Sequence, residues 1–418
     1  MNVDKMHLLE ESVTELPPPL GGRLKAIGFG VGFLGLGAAS VLGYMQQDHY
    51  TRFSFSYLIA WAFFLSITLG ALFFVTLQHV TRAGWSVVVR RLAEGLSSQA
   101  LLMAILSLPL IVPLAMGNHA LFSWADHTLV EGDHMLHHKA PYLNVGFFIA
   151  RCVVYFGAWI LMSRFFFKNS LRQDTSKDPA LTLRSERGSA PLMFVYAITV
   201  TFASIDFLMS LEPHWFSTIF GVYFFAGCLV SFFATLILTG LWLNSQGVLR
   251  GAIHVEHYHD LGKLLFAFNF FWGYIAFSQF MLVWYGNIPE ETFWYLTRQQ
   301  GGWITVALLL VFGHFIIPFI GLISRHAKRK TKILAFWAIW LLMMHWVDLF
   351  YLTGPAIAER VKSEALAAGM LPLGLLDVAC FVGIGGLYLA AFAIVMQKKR
   401  LVPWGDPRLN ESLNFENA

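Results

Sequence analysis

An all-helical, multi-pass membrane protein is the fold class this sequence predicts, and three observations predict it. The chain of 418 residues is 57% hydrophobic and only 13% charged, about half the usual charged share of a soluble domain. Its apolar residues gather into runs long enough to cross about 30 Å of hydrocarbon. Its Lys and Arg residues are segregated between alternate connections, as they are in membrane proteins of fixed orientation.

Ten such runs fall at 24–44, 54–78, 97–116, 143–167, 191–211, 216–243, 263–285, 302–323, 333–353 and 373–396. An even number places both termini on one side. Of the 29 Lys and Arg residues, 23 lie on that side, five on the other, and Arg151 inside a run. The positive-inside rule therefore predicts cytoplasmic termini. The acidic start "MNVDKMHLLEESVTELPPPLGG" lacks a basic segment before a short apolar one, so no cleaved signal peptide is expected. The expected organisation is an N-tail over 1–23, a ten-span domain over 24–396 and a cytoplasmic C-tail over 397–418. Within the domain, "FSYLIAWAFFLSITLGALFFVTL" (55–77) and "FSTIFGVYFFAGCLVSFFATLIL" (216–238) form a weak repeat. It suggests two four-helix bundles, about 54–211 and 216–353, with spans 24–44 and 373–396 flanking them.

Depth follows from a rise of 1.5 Å per residue. Asp206 and Asp348 each lie about 22 Å from the terminus-side end of their runs. His345 stands one turn before Asp348 on the same face. Arg151 is about 12 Å and Asp377 about 6 Å from the opposite end, with His314 near mid-depth. The terminus-side half of the domain shows almost no ionisable groups. Charged groups in hydrocarbon are costly and find partners or water, so Arg151 is expected against Asp206 or Asp348. Two readings stay open: a structural ion pair that fixes helix register, and a polar cavity or proton path opening away from the termini.

Several motifs carry plainer readings. In "GNHALFSWADHTLVEGDHMLHHKAP", His134 and His138 have the spacing of a helical metal pair, but no third ligand is fixed. An interfacial helix presenting His137, His138 and Lys139 to water or a partner is simpler, and no metal is expected. In "HVEHYHDLGKLLFAF" (254–268), Asp260 is expected to cap the following helix. Glu212 and His214 follow an apolar run around Pro213, where partner contacts are expected. Cys152, Cys228 and Cys380 sit on three different runs with no CxxC pair, which argues against an iron–sulfur cluster or a disulfide framework. No CxxCH is present, so no covalent haem is expected. His314 and His345 lie at similar depth as a bis-histidine haem alternative, but bis-histidine haem helices usually carry two His each. Nothing supports nucleotide or nucleic-acid binding.

Four stretches together resemble one family: "FSYLIAWAFFLSITLGALFFVTLQHVTRAGWSVVVRRLAE", "IDFLMSLEPHWFSTIFGVYFFAG", "HDLGKLLFAFNFFWGYIAFSQFMLVWYGNIPEE" and "HFIIPFIGLISR". They resemble the NrfD/PsrC-like membrane subunits of alternative complex III, a quinol:electron-acceptor oxidoreductase of bacterial cytoplasmic membranes. The resemblance implies paired four-helix bundles and no redox centre in this chain. The implied partners are an iron–sulfur protein, multihaem and monohaem cytochromes c that hold the clusters and haems, a second NrfD-like subunit and membrane lipids. The implied ligand is a quinone such as menaquinone. The chain looks like the smaller of the two NrfD-like copies, which by the family pattern is the paralogue without a working quinol pocket, although proton conduction is ascribed to both copies; by analogy the family's quinol-site carboxylate would map to Asp206.

The expected function is therefore a membrane subunit supporting quinol oxidation, with Asp206, His345, Asp348, Arg151, Asp377 and His314 as proton-relay or quinol-site candidates. A purely structural anchor is the alternative. A secondary transporter is a further one, weakened by the lack of paired broken helices at the midplane.

Overall fold

The computed structural model describes residues 13–46, 48, 50–361 and 369–417; most of the acidic N-tail reading lies outside them. The protein is 79% helical, and there are no strands among the described residues. Among the described residues ten helices are long and apolar enough to cross a membrane. We label them α1 (Pro18–Met45), α2 (Thr51–Val80), α3 (Val87–Ala115), α4 (Val145–Ser176), α5 (Pro179–Phe207), α6 (Phe220–Ser245), α7 (Val255–Gly286), α8 (Trp303–Ile323), α9 (Thr331–Val361) and α10 (Leu375–Met396). This is a polytopic all-α membrane architecture.

Local chemistry sets several boundaries. Asn144 caps α4 by accepting the Phe147 N–H at 2.9 Å. The helix ends at Lys177, whose φ of 52° is left-handed. Asp178 caps α5 through the Ala180 N–H at 2.9 Å, and Pro179 occupies the first helical position, where its missing N–H costs no hydrogen bond. The stretch 168–190, expected to connect two spans, is therefore helix on both sides of a tight turn. At 32 residues, α4 extends about 48 Å and outruns the hydrocarbon. Asp260 is likewise not a cap. Helix α7 already starts at Val255, with His254 before it donating its N–H to His257 Nδ1 at 3.2 Å. Asp260 instead pairs with Lys263 one turn on.

The core is built around α2 and α6, which are buried along most of their length. They meet where Ser66 Oγ lies 2.9 Å from Ser231 Oγ. Helices α1 and α10 pack on one another at the edge. A Cβ on Gly386 would stand 2.5 Å from the Gly32 backbone nitrogen, so the two backbones touch as small residues allow in membranes.

The terminus-side face is closed by the chain ends. Isolated bridges join Val13 to Val248, Glu15 to Arg400 and Leu16 to Gln397. Ser412 donates to Trp85 O at 2.6 Å and accepts the Val88 N–H at 3.2 Å. Asp406 binds Arg90, and Arg408 reaches Glu186 at 2.6 Å. These contacts explain a second departure from the sequence reading. Helix α3 begins at Val87, so Arg90, Arg91 and Glu94 lie inside the protein, not in a loop. Arg91 Nε is 3.0 Å from Glu94, and its Nη1 is 2.8 Å from Asp174. The terminus-side half thus does contain ionisable groups, paired through segments far apart in sequence.

Two predictions follow from this architecture. Leucine at Gly386 should force α1 and α10 apart, with an overpacking cost of about 1–3 kcal/mol visible as a lower unfolding midpoint in detergent. The second concerns Asp406. Burial pushes its carboxyl up, but the Arg90 guanidinium and hydrogen bonds from Arg90 and the Arg408 N–H outweigh this and hold it below the ordinary range. A depressed carboxyl stabilises fully above its unfolded value of about 3.9 and loses that contribution as pH falls through the folded value. Protease access to the C-tail should therefore rise below about pH 4. In Asp406→Asn it should already be high at pH 7 and change less on acidification.

Candidate functional site

The sequence-predicted polar residues separate into three sites. In the first, Arg151 and Tyr155 lie one turn apart on α4 and face Asp206 on α5. Arg151 Nε and Nη2 donate to the two Asp206 oxygens at 2.7 and 2.9 Å, and Tyr155 Oη donates at 2.7 Å. Arg151 Nη1 reaches Tyr142 O at 2.9 Å, and the guanidinium lies 3.9 Å over the Tyr142 ring. Asp206 is fully buried, and both its oxygens are engaged. This geometry is that of a register lock between α4 and α5.

The second site is also an ion pair. Arg52 at the start of α2 meets Asp377 at the start of α10 at 2.5 Å and also donates to Pro372 O and Ser56. Asp377 accepts the Gly374 N–H at 2.9 Å, which closes the first turn of α10.

The third site is different in kind. His345 and Asp348 project from α9 into the junction of α2, α6, α7 and α8. His345 Nε2 is 2.9 Å from Ser66 Oγ, which continues to Ser231. Asp348 accepts from Tyr223 Oη on α6 and from Trp272 Nε1 on α7, the latter at 3.1 Å. Among the described residues no cation pairs with it. Gly227 makes room: a Cβ there would lie 2.8 Å from His345 Cε1. His314 stacks on Trp272 with ring centroids 3.7 Å apart, and both its ring nitrogens are buried without a hydrogen-bond partner. It belongs to a π-helical segment of α8, Leu310–Ile316. Trp340 Nε1 donates to Gly313 O in that segment at 2.7 Å. Such π segments are frequent at functional sites. Asn269, one turn before Trp272, is also buried with its amide unpartnered.

Sequence reasoning identifies His314, His345 and Asp348, but not Ser66, Tyr223, Ser231, Asn269 or Trp272. The last five are neutral, and no spacing distinguishes them from the many other aromatic and hydroxyl residues of the spans.

The expected partner contacts are largely used internally. Glu212 accepts from Arg298 at 2.8 Å, and that buried guanidinium lies 3.5 Å over Trp294. Lys139 donates to Pro213 O at 2.6 Å; partial burial pushes its ammonium down. His214 meets Asp133 at 2.5 Å, and this hydrogen bond holds the Asp133 carboxyl below its ordinary value. His137 and His138 are exposed on the short helix His134–Lys139. Among the described residues no group of three or more His, Cys, Asp or Glu could hold a metal ion, and the three cysteines are free and buried.

No protein-family model and no curated protein matches the chain.

The Arg151–Asp206 pair yields a stability prediction. Arg151→Ala leaves a buried carboxylate unpaired and should destabilise by about 3–5 kcal/mol. Replacing both partners with similarly sized apolar residues should recover much of that loss. Thermal unfolding in detergent would separate the two outcomes.

Proposed function

We propose that the chain is a membrane subunit of a respiratory quinol:electron-acceptor oxidoreductase of the alternative complex III type, in which Asp348 and His345 take up and pass on protons released by quinol. One observation carries this reading. Asp348 is a carboxyl deep in the spans whose partners are the neutral donors Tyr223 and Trp272. It can change protonation without breaking an ion pair, whereas Asp206 and Asp377 cannot. Intramembrane ionisable groups of this kind mark proton routes.

In this reading quinol gives up two protons and two electrons. The electrons pass to an iron–sulfur partner and then to cytochromes c, because this chain has neither cysteine clusters nor haem motifs. The protons need a nearby acceptor. Tyr223 is the first link, and Asp348 is the group that holds the proton. His345, one turn away, relays through Ser66 and Ser231. In this reading the membrane is a bacterial cytoplasmic membrane with both termini in the cytoplasm, a direction supported by the segregation of the basic residues.

A structural anchor is the second reading, and the two closed ion pairs favour it. The readings part at Asp348. In the assembled complex, Asp348→Asn should lower quinol turnover by roughly 10²-fold or more, the scale of a lost acid–base group, while haem and iron–sulfur partners still co-purify. Full turnover with unchanged proton release in that variant supports the anchor.

A further inference from the structure

We infer that the groove between α9 and α10 holds an acyl chain of one anionic phospholipid from the terminus-side leaflet, with Lys332 at its phosphate. The groove has a volume of about 940 Å³. Ile339 and Met343 on α9 form one wall, Leu389 and Phe392 on α10 the other, and Phe63 and Phe64 on α2 the floor. Ile339 and Met343 are half exposed on a membrane-spanning helix, so whatever fills the groove enters from hydrocarbon.

The α9 wall continues to a cation. Lys332, Phe336, Ile339, Met343 and Val347 follow one another at three- and four-residue spacings, which keeps them on one face of the helix. Lys332 is exposed, and Phe336, Ile339 and Met343 are each at least 50% exposed. Val347 lines the groove with Ile339 and Met343. From Lys332 to Val347 is about 22 Å by helix rise. Half a bilayer, headgroups included, is about 20–22 Å thick. The face therefore has the length of one phospholipid, from its phosphate to the end of its chain.

The charge at the terminus-side end selects an anion. Arg325, Lys330 and Lys332 are all exposed in the connection before α9, and among the described residues no carboxylate pairs with them. Glu256 is already taken by Arg329. Lys328 is spent on the end of α8, where it donates to Leu322 O and Ile323 O at 2.7 and 2.8 Å. Lysines at headgroup level attract anionic lipid.

The walls of the groove favour a chain over other occupants. Asp377 is paired with Arg52, the Tyr388 hydroxyl lies 3.0 Å from Thr68 Oγ1, and Thr235 donates to Ser231 O at 2.8 Å. These lining groups have their partners inside the protein, so a ring with oxygen substituents would find none of them free. A partner helix would pack best against small residues, as α1 does against α10. Here the exposed walls carry Phe, Ile, Met and Leu, and Gly385 is turned inward, where a Cβ would stand 2.8 Å from Phe64.

The test is native mass spectrometry of the purified full chain, delipidated and titrated with phosphatidylglycerol or phosphatidylcholine of equal chain length. Phosphatidylglycerol should bind roughly fivefold more tightly or better. Lys332→Gln should abolish that preference, and Met343→Trp should weaken both lipids. Equal binding of the two lipids, or a preference that survives Lys332→Gln combined with Lys330→Gln, overturns the inference. Location is tested in native membranes with phosphatidylglycerol carrying a mid-chain diazirine. Label should fall within 336–347 and 381–392. It should drop by roughly tenfold in Met343→Trp, or in Leu389→Trp if the first variant does not assemble. Label spread evenly over the ten helices, label displaced by excess decylubiquinone, or a crosslink from a photoreactive amino acid in place of Met343 to another protein chain would assign the groove to bulk lipid, a ring or a partner helix. Each of these outcomes overturns the inference.

Discussion

Inside hydrocarbon a polar group has only the protein to satisfy it, and this constraint organises the whole molecule. The buried guanidinium groups within the spans sit where a carboxylate of a neighbouring helix answers them. Arg151 with Asp206 ties α4 to α5, and Arg52 with Asp377 ties α2 to α10. Helix association in membranes gains little from burying apolar surface, since lipid is equally apolar. Register must come from such polar locks and from close backbone packing such as Gly32 on Gly386. The central pair α2 and α6 then provides a frame of fixed hydroxyls, Ser66 and Ser231, on which α9 can hold His345.

The same constraint explains the terminus-side face. Arg90, Arg91 and Glu94 are fully enclosed, and they are tolerable because Asp174 from the end of α4 and Asp406 from the C-tail complete the charge balance. Without the docked tail, Arg90 would lose its closest carboxylate. The C-tail is thus a structural part of the membrane domain's end, and the long helices α4 and α5 extend beyond the hydrocarbon to meet it.

Much of this was legible in the sequence, for definite reasons. Ten spans are legible because length and apolarity are local properties. The pairing of Arg151 with a buried aspartate is legible because depth along a helix follows from residue number alone. The boundaries are less so. Residues 168–190 and 79–96 look like basic connections by composition, and only contacts with distant segments show why Val87 starts a helix and why Glu94 is buried. The choice between Asp206 and Asp348 as the partner of Arg151 also lies beyond the sequence, since it depends on which helices are lateral neighbours. Tyr223 and Trp272 were invisible for a statistical reason: among 13 Tyr and 14 Trp, nothing in the pattern singles them out.

Asp206 and Asp348 show how far surroundings, not depth, decide what a carboxyl can do. Both lie about 22 Å along their spans by helix rise, and both are buried. Around Asp206 the α4 face supplies a guanidinium with matched geometry, and any change in its charge would leave Arg151 uncompensated. Around Asp348, α6 and α7 supply a hydroxyl and an indole N–H, neither of which carries charge. Gly227 lets α9 approach α6 closely enough for His345 to join the serine pair in the same junction. The π segment of α8 accompanies this arrangement by seating His314 against Trp272. A junction of five helices thus surrounds the α9 carboxyl with neutral donors and an imidazole and, among the described residues, no cation, while the identical residue type on α5 is fastened to a guanidinium.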